Sequence, residues 1–482
     1  MDAVKSKFLL HWILTVVIVS VGISGAAHAQ TPAAAQQPPD AHVWLTTVDR
    51  AHLLDQQAAP LAFSQTAPAE ERVIEVNDMQ QYQSMQGFGF ALTGGSAQLL
   101  TRMSAAARAT LLQELFAPAG EGIHVSYLRV SIGSSDMNDH AYTYDDMPRG
   151  ETDPELKRFS LDIDRGNVMT VLREILAINP HIMILGSPWS APAWMKTNDA
   201  LKGGELKHEY YGTYAQYFVK YIEGMKAAGI AINAITIQNE PLNPKNTPSM
   251  VMFAPEEDDF VANDLGPAFA KAGIRTGIQL YDHNVDVPSY PMSILKDAAA
   301  NKYVNGTAFH LYGGVTDAMT AVHDEYPNKD LFLTEQSVTQ EPHSSTLEIA
   351  FPVDGVMIGA TRNWARNVLL WNLAADPEAG PHTNDGGCPS CYGAMTLDGD
   401  QVTRNVAYYT LAHFSKFVPP GSLRVGSPTL EQLNNVAFLT PEGRVVLVVS
   451  NTGNFATKFT IRYHGWNLST SLPAESVGTW VW

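Results

Sequence analysis

The chain has 482 residues, 45% of them hydrophobic, and a formal net charge of −18. That length holds one large domain and a small one, with a composition ordinary for a globular protein. So acidic a chain is a poor partner for nucleic acid or anionic membranes, whereas a neutral substrate such as a sugar suits its charge.

The chain opens with Lys5 and Lys7, an apolar run from Phe8 to Ile23, and Ala27-His28-Ala29. This reads as a secretory signal peptide over 1–29, cut before Gln30. The alternative is an uncleaved anchor, because the run is of borderline length for a span. Residues 30–41, mostly TPAAAQQPPD, form a low-complexity linker. No later segment is apolar for long enough to cross a bilayer, so the expected location is secreted or periplasmic, with no membrane span after signal cleavage.

Two strand-like runs, VWLTTV and RVIEV, fall within 42–80. Beyond them apolar runs alternate with helical patterns. The strands expected are Gly87–Thr93, Val125–Ser131, Ile182–Trp189, Ala234–Glu240, Arg275–Tyr281, Gly306–Tyr312, Leu331–Gln336 and Val368–Leu373. Amphipathic stretches between them include Ala105–Phe116, Val168–Ile178, Tyr210–Ala228, Glu256–Ala272 and Val356–Arg366. Eight alternating strand–helix units predict a (β/α)₈ TIM barrel over 81–416. From 417 to 482 the pattern changes to short strands at Asn435–Leu439, Arg444–Ser450, Lys458–Tyr463 and Ser476–Trp482, parted by turn residues. That piece is small for a core of its own. The expectation is one β-sandwich side domain built from both chain ends.

Two of the barrel runs end in carboxylates: AITIQNE at Glu240 and LFLTE at Glu335. Active sites of such barrels lie at the C-terminal ends of the strands. The fourth and seventh strands place this pair across the mouth of the barrel, and two carboxylates are what glycosidic cleavage needs. Either acid alone reads equally well as a surface turn or a salt-bridged strand end. Aromatic and polar residues at other strand ends add a sugar site: Ser187-Pro188-Trp189 and Trp194, His310 and Tyr312, Trp371-Asn372, with Asp136 and Asn138 on the same rim. The two cysteines, Cys388 and Cys391, lie in GGCPSC. The flanking Gly and Pro indicate a loop, two thiols cannot complete a structural zinc site, and export favours a local disulfide over free thiols.

With these segments in view, the sequence resembles glycoside hydrolase family 30, most closely its glucosylceramidase branch. The similar stretches are GFGFALTGGSA from Gly87, YLRVSIGSSD from Tyr127, AYTYDD from Ala141, GSPWSAPAWMKTN from Gly186, TIQNEP from Thr236, FVANDLGPAFA from Phe260, AFHLY from Ala308, LFLTEQ from Leu331 and LAHFSKFVPPGSLRVG from Leu411. The resemblance implies retaining hydrolysis of β-glycosides without cofactor or metal, Glu240 being the acid/base and Glu335 the nucleophile. It implies a glycone pocket of Asp136, Trp189, Asn239, His310, Tyr312, Trp371 and Asn384, with Arg129 supporting the nucleophile. The expected substrate is a β-glucoside, whether glycolipid, oligosaccharide or glucan. The loop after the eighth strand departs from the lysosomal enzyme and is similar to bacterial members carrying CxxC. The family also holds endo-β-1,6-glucanases, β-xylosidases and xylanases, which the catalytic residues do not separate. A non-catalytic carbohydrate-binding protein is the remaining alternative.

Overall fold

The structure is a computed structural model that describes residues 37–67 and 72–482. The signal peptide and most of the linker lie outside the described residues. Among the described residues no helix is long and apolar enough to cross a membrane.

Eight parallel strands close into a barrel: β1 (Gly87–Ala91), β2 (Tyr127–Ser131), β3 (Met183–Ser187), β4 (Ala234–Thr236), β5 (Gly277–Asn284), β6 (Val304–His310), β7 (Asp330–Glu335) and β8 (Ala365–Leu370). β8 pairs with β1 in parallel and completes the ring. All eight expected runs form strands, because each is a short β-branched and aromatic segment buried on both faces by the helices outside and the barrel interior within. The period of two along each strand then sorts side chains into layers. Tyr127, Leu185, Ala234 and Leu369 pack together as an apolar plug low in the barrel. Two residues further along the first three of these strands come Arg129, Ser187 and Thr236, all buried. The barrel is therefore apolar below and polar toward its C-terminal mouth.

Boundaries moved where local chemistry overrode the pattern. The ladder of β4 ends at Thr236, not Glu240. The helical stretch expected over Glu256–Ala272 spans Ala254–Ala272, with a π turn at Val261–Leu265 just before Gly266-Pro267. Proline has no N–H to donate, which a widened turn accommodates. The helix expected over Val356–Arg366 instead runs from Ala350 to Arg362, and β8 takes up at Ala365. A small sheet of Ala374–Ala375, Met395–Asp398 and Gln401–Arg404, absent from the sequence reading, follows β8.

The side domain is a nine-stranded sheet, in the order Trp466–Leu472, Thr457–Tyr463, Val73–Ser84, Leu423–Gly426, Asn435–Leu439, Val445–Asn451, Ser476–Val481, His42–Thr46 and Leu53–Gln56. Both chain ends contribute to it. The 12-residue strand Val73–Ser84 serves two pairings. Its start runs parallel to Thr460–Tyr463, and its remainder runs antiparallel to Leu423–Gly426. Val445, Leu447 and Val449 face the side domain's own core with Phe459, Ile461 and Trp480. The intervening Val446 and Val448 join the barrel's core with Val436 and Phe438. Burial on both faces explains why VVLVV is continuously apolar, and it welds the side domain to the barrel.

Candidate active site

A cleft of about 570 Å³ opens at the C-terminal mouth of the barrel, lined among others by Asp136, Trp189, Glu240, Tyr312, Glu335 and Trp371. Glu335 is the last residue of β7, and Glu240 stands four residues beyond β4. In that extension Asn239 donates its backbone N–H to Pro188 (2.7 Å) and Glu240 donates to Asp282 (3.0 Å). Glu240 itself adopts a left-handed φ of 45° before Pro241. Such conformations persist only where the surroundings hold them, and here they aim the carboxylate back over the barrel. Facing atoms of Glu240, His310 and Glu335 all lie within 4.8 Å of one another. So close an approach suits attack by one carboxylate on the sugar, the retaining geometry.

Beneath the pair lies a residue that the sequence reading missed. The β5 ladder carries a register shift between Tyr281 and His283, and Tyr281 and Asp282 have φ of 75° and 55°. This bulge turns Asp282 inward. One oxygen of Asp282 accepts hydrogen bonds from Arg129 Nη2 (2.7 Å), Ser187 Oγ (2.6 Å) and Thr236 Oγ1 (2.7 Å). The other accepts from Thr334 Oγ1 (2.6 Å) and faces His310 Nε2 at 3.1 Å. A single buried carboxylate thus ties β2, β3, β4, β6 and β7 to β5. Burial would raise its carboxyl, but the charge of Arg129 and the hydrogen bonds of His310 and Ser187 hold it well below the usual range. A period-two reading of β5 gives no sign of a bulge, so nothing in the sequence pointed to Asp282.

Arg129 is fully buried; it pairs with Glu335 Oε2 as well as Asp282 and donates to Asn239 Oδ1 at 2.7 Å. Tyr312, 46% exposed as a residue, donates its hydroxyl to Glu335 Oε1 at 2.9 Å. Both oxygens of Glu335 therefore accept, as those of an ionised carboxylate do. Burial, with Glu240 and Asp282 nearby, raises this carboxyl, and the charges of His310 and Arg129 oppose the rise. Burial would also raise Glu240, but the hydrogen bond and charge of His310, helped by His283 and Asn243, take it down to about 2. Asn243 Nδ2 donates to Glu240 Oε2 at 2.7 Å.

Trp189 and Trp371 lie with ring centroids 5.5 Å apart, Arg129 over the Trp189 ring at 4.8 Å. Cys388 and Cys391 are joined in a disulfide, and Cys391 packs with Ala91, Met137, Trp189 and Trp371. Two expected sugar contacts fall elsewhere. His310 is fully buried behind the carboxylates and does not border the cleft. Its ring nitrogens face acids, because β6 ends over Asp282. Asn239 is 4% exposed, and its Oδ1 accepts from Arg129, so its amide N–H groups stay available. Asn384 is exposed and outside the cleft, since the loop here turns its backbone, through Thr383 and Gly387, toward Asp136. Trp194 and Asn138 are structural too: the indole donates to Asp145 O at 2.9 Å and the amide holds the Ser135 turn. As for a metal, the Glu240, His310 and Glu335 trio does not fit one. His310 presents both nitrogens to acceptor-only carboxylates, which leaves no lone pair for an ion.

Burial, reinforced by Glu335 and Glu240, raises the Asp136 carboxyl from 3.8 to about 8. The folded state then binds this proton more tightly than the unfolded one, so Asp136 costs increasing stability as pH climbs through that interval. Asp136→Asn is expected to melt above the wild type at pH 8, with the gap closing below pH 4, while glycone affinity falls. Thermal melts across pH check this, and a gap that does not change with pH contradicts it.

The family pattern for the glycosyl hydrolase family 30 TIM-barrel domain matches residues 85–418, and that for the glycosyl hydrolase family 30 beta sandwich domain matches 421–480. Endo-1,6-β-D-glucanase BGN16.3 of Trichoderma harzianum is 38% identical over 83% of this chain and 84% of its own. The solved structure of the endo-β1,6-glucanase BT3312 superposes with a TM-score of 0.84 at 34% identity, covering 92% of this chain and 99% of that one. Lysosomal acid glucosylceramidase of Mus musculus is 30% identical over 84% of this chain and 82% of its own. These values correct the branch expected from the motifs: the chain sits with the endo-1,6-β-glucanases, not with the glucosylceramidases.

Proposed function

The chain belongs to glycosyl hydrolase family 30 and is a retaining O-glycosyl hydrolase of β-glycosidic bonds, and we propose that it is an exported endo-β-1,6-glucanase. The relatives supply the linkage. The observation that carries the polymeric substrate is the polar share of the cleft lining. Asn243, Lys245, Asn246, Asn284, Ser337, Thr339 and Ser390 all border it, and Leu242 and Pro244 are its aliphatic residues among those described. A second sugar finds hydroxyl partners there. A ceramide needs its chains buried, each methylene worth about 0.8 kcal/mol, and two aliphatic side chains offer little for that.

In this reading the glycone sits on the paired tryptophans with Asp136 at its hydroxyls. Asn239 presents its amide to the 2-hydroxyl, an interaction that strengthens in the transition state. Glu335 attacks the anomeric carbon while Glu240 protonates the departing 6-oxygen of the next sugar. Water, deprotonated by Glu240, then releases the chain with the β configuration retained. Arg129 and Tyr312 hold Glu335 for in-line attack, worth several kcal/mol through positioning alone. The test is a time course on a linear β-1,6-glucan beside glucosylceramide. Early oligosaccharides from the glucan and no turnover of the lipid are expected. Hydrolysis of glucosylceramide at rates matching the glucan would overturn the reading.

A further inference from the structure

Resting on Glu240 as the acid/base, we infer that His310 stores the proton that Glu240 delivers to the leaving group and takes it back in the second half of the reaction. His310 is the last residue of β6 and fully buried. Nδ1 lies 3.2 Å from Glu240 Oε1 and 3.8 Å from Glu335 Oε1, and Nε2 lies 3.1 Å from Asp282 Oδ1. The other charged or titratable neighbours are Arg129, linked through Asp282, and the rings of His283 and Tyr312 at 6.4 and 6.1 Å. A carboxylate only accepts, so each ring nitrogen must carry a hydrogen, or else share one with the acid it faces. Asp282 is committed as an anion by its four other donors. One mobile proton therefore lies on the line between Nδ1 and Glu240 Oε1. Glu240 Oε2 already accepts from Asn243, which disfavours a proton on that side. The charges around the ring favour the proton on His310, lifting it to about 9 against burial.

This answers a difficulty in the site: His310 and Asn243 draw Glu240 toward its ionised form, yet an acid/base must donate. As the C1–O bond breaks, its electron pair goes to the glycosidic oxygen. One proton passes from His310 Nδ1 to Glu240 Oε1 and on to that oxygen, leaving Glu240 ionised, while Glu335 bonds to C1. His310 is left neutral with its Nε2–H still on Asp282. In the second half water adds to C1 and the C1–Glu335 bond breaks, its pair returning to the carboxylate. The water's proton passes to Glu240 and on to Nδ1, so the cycle closes without net loss. His310 does not border the cleft that holds the sugar; it acts through Glu240.

The test compares His310→Gln and Glu240→Gln across aryl β-glycosides, from dinitrophenyl to phenyl leaving groups. A dinitrophenolate leaves without a proton; a phenolate does not leave readily. For His310→Gln, kcat/KM should fall about 10²- to 10⁴-fold on the phenyl glycoside, the usual scale of general-acid catalysis, and less than tenfold on the dinitrophenyl one. Equal loss on both, or no loss, overturns the inference when Glu240→Gln shows the leaving-group dependence. If Glu240→Gln itself shows none, the acid/base assignment has failed instead. A second measurement needs no variant: nitrogen NMR of the wild type should find both ring nitrogens of His310 protonated at the working pH, and a neutral ring overturns the storage role.

Discussion

Glu335→Gln is expected to abolish hydrolysis, lowering kcat by at least about 10⁴-fold on β-1,6-glucan and on an aryl β-glucoside alike. The amide keeps the shape of the side chain but has neither the charge nor the nucleophilic oxygen. It also turns an N–H toward either Arg129 or Tyr312, both of which donate to Glu335 in the wild type. The loss should fall on kcat with a much smaller change in KM, since the glycone contacts come from Trp189, Trp371 and Asp136. Removing a buried charge beside Glu240 and Asp136 relieves repulsion, so the variant should fold and melt near the wild type. A folded variant with substantial turnover contradicts the assignment. The assay must include the activated aryl glycoside, because slow hydrolysis of the glucan alone could reflect binding.

Asp282→Asn is expected to have the largest effect on the fold. The carboxylate takes hydrogen bonds from Arg129, Ser187, Thr236 and Thr334 and pairs with His310. An amide cannot accept on both sides, and it leaves the buried Arg129 with Glu335 as its one remaining anion. Breaking a buried pair of this kind costs about 3–5 kcal/mol. Activity should fall as well, because Arg129 and His310 contact Glu335 and Glu240 and hold them in place. Chemical denaturation measures the first effect and initial rates the second. A variant within about 1 kcal/mol of wild type would mean that the network is dispensable to the fold.

The barrel was legible because its strands are buried on both faces, so each is a short apolar run, and because a carboxylate ending such a run has no packing role. Glu240, Glu335, Asp136, Trp189, Tyr312 and Trp371 were readable from that logic and the motifs, and they meet around one cleft. Asp282 was not. The run read as Arg275–Tyr281 stops one residue short of it, and a bulge made by two left-handed residues leaves no mark on hydrophobic period. His310 was read as a sugar contact because an aromatic strand end resembles one; only the ladder shows that it ends above Asp282. Asn384 lay in a loop whose path depends on a disulfide and on long-range backbone contacts. The branch was misread for a related reason. The motifs that carried the resemblance hold the chemistry, which both branches share, whereas the acceptor wall is built from loops such as Leu242–Asn246 and Cys388–Cys391.

A retaining enzyme that cuts within β-1,6-glucan reveals itself in the anomeric protons of newly formed ends, followed by NMR during the first minutes of glucan hydrolysis. Oligosaccharides are expected whose new reducing ends appear first as the β anomer and only later equilibrate. New ends appearing first as the α anomer, or glucose as the sole early product, would contradict that mode of cleavage.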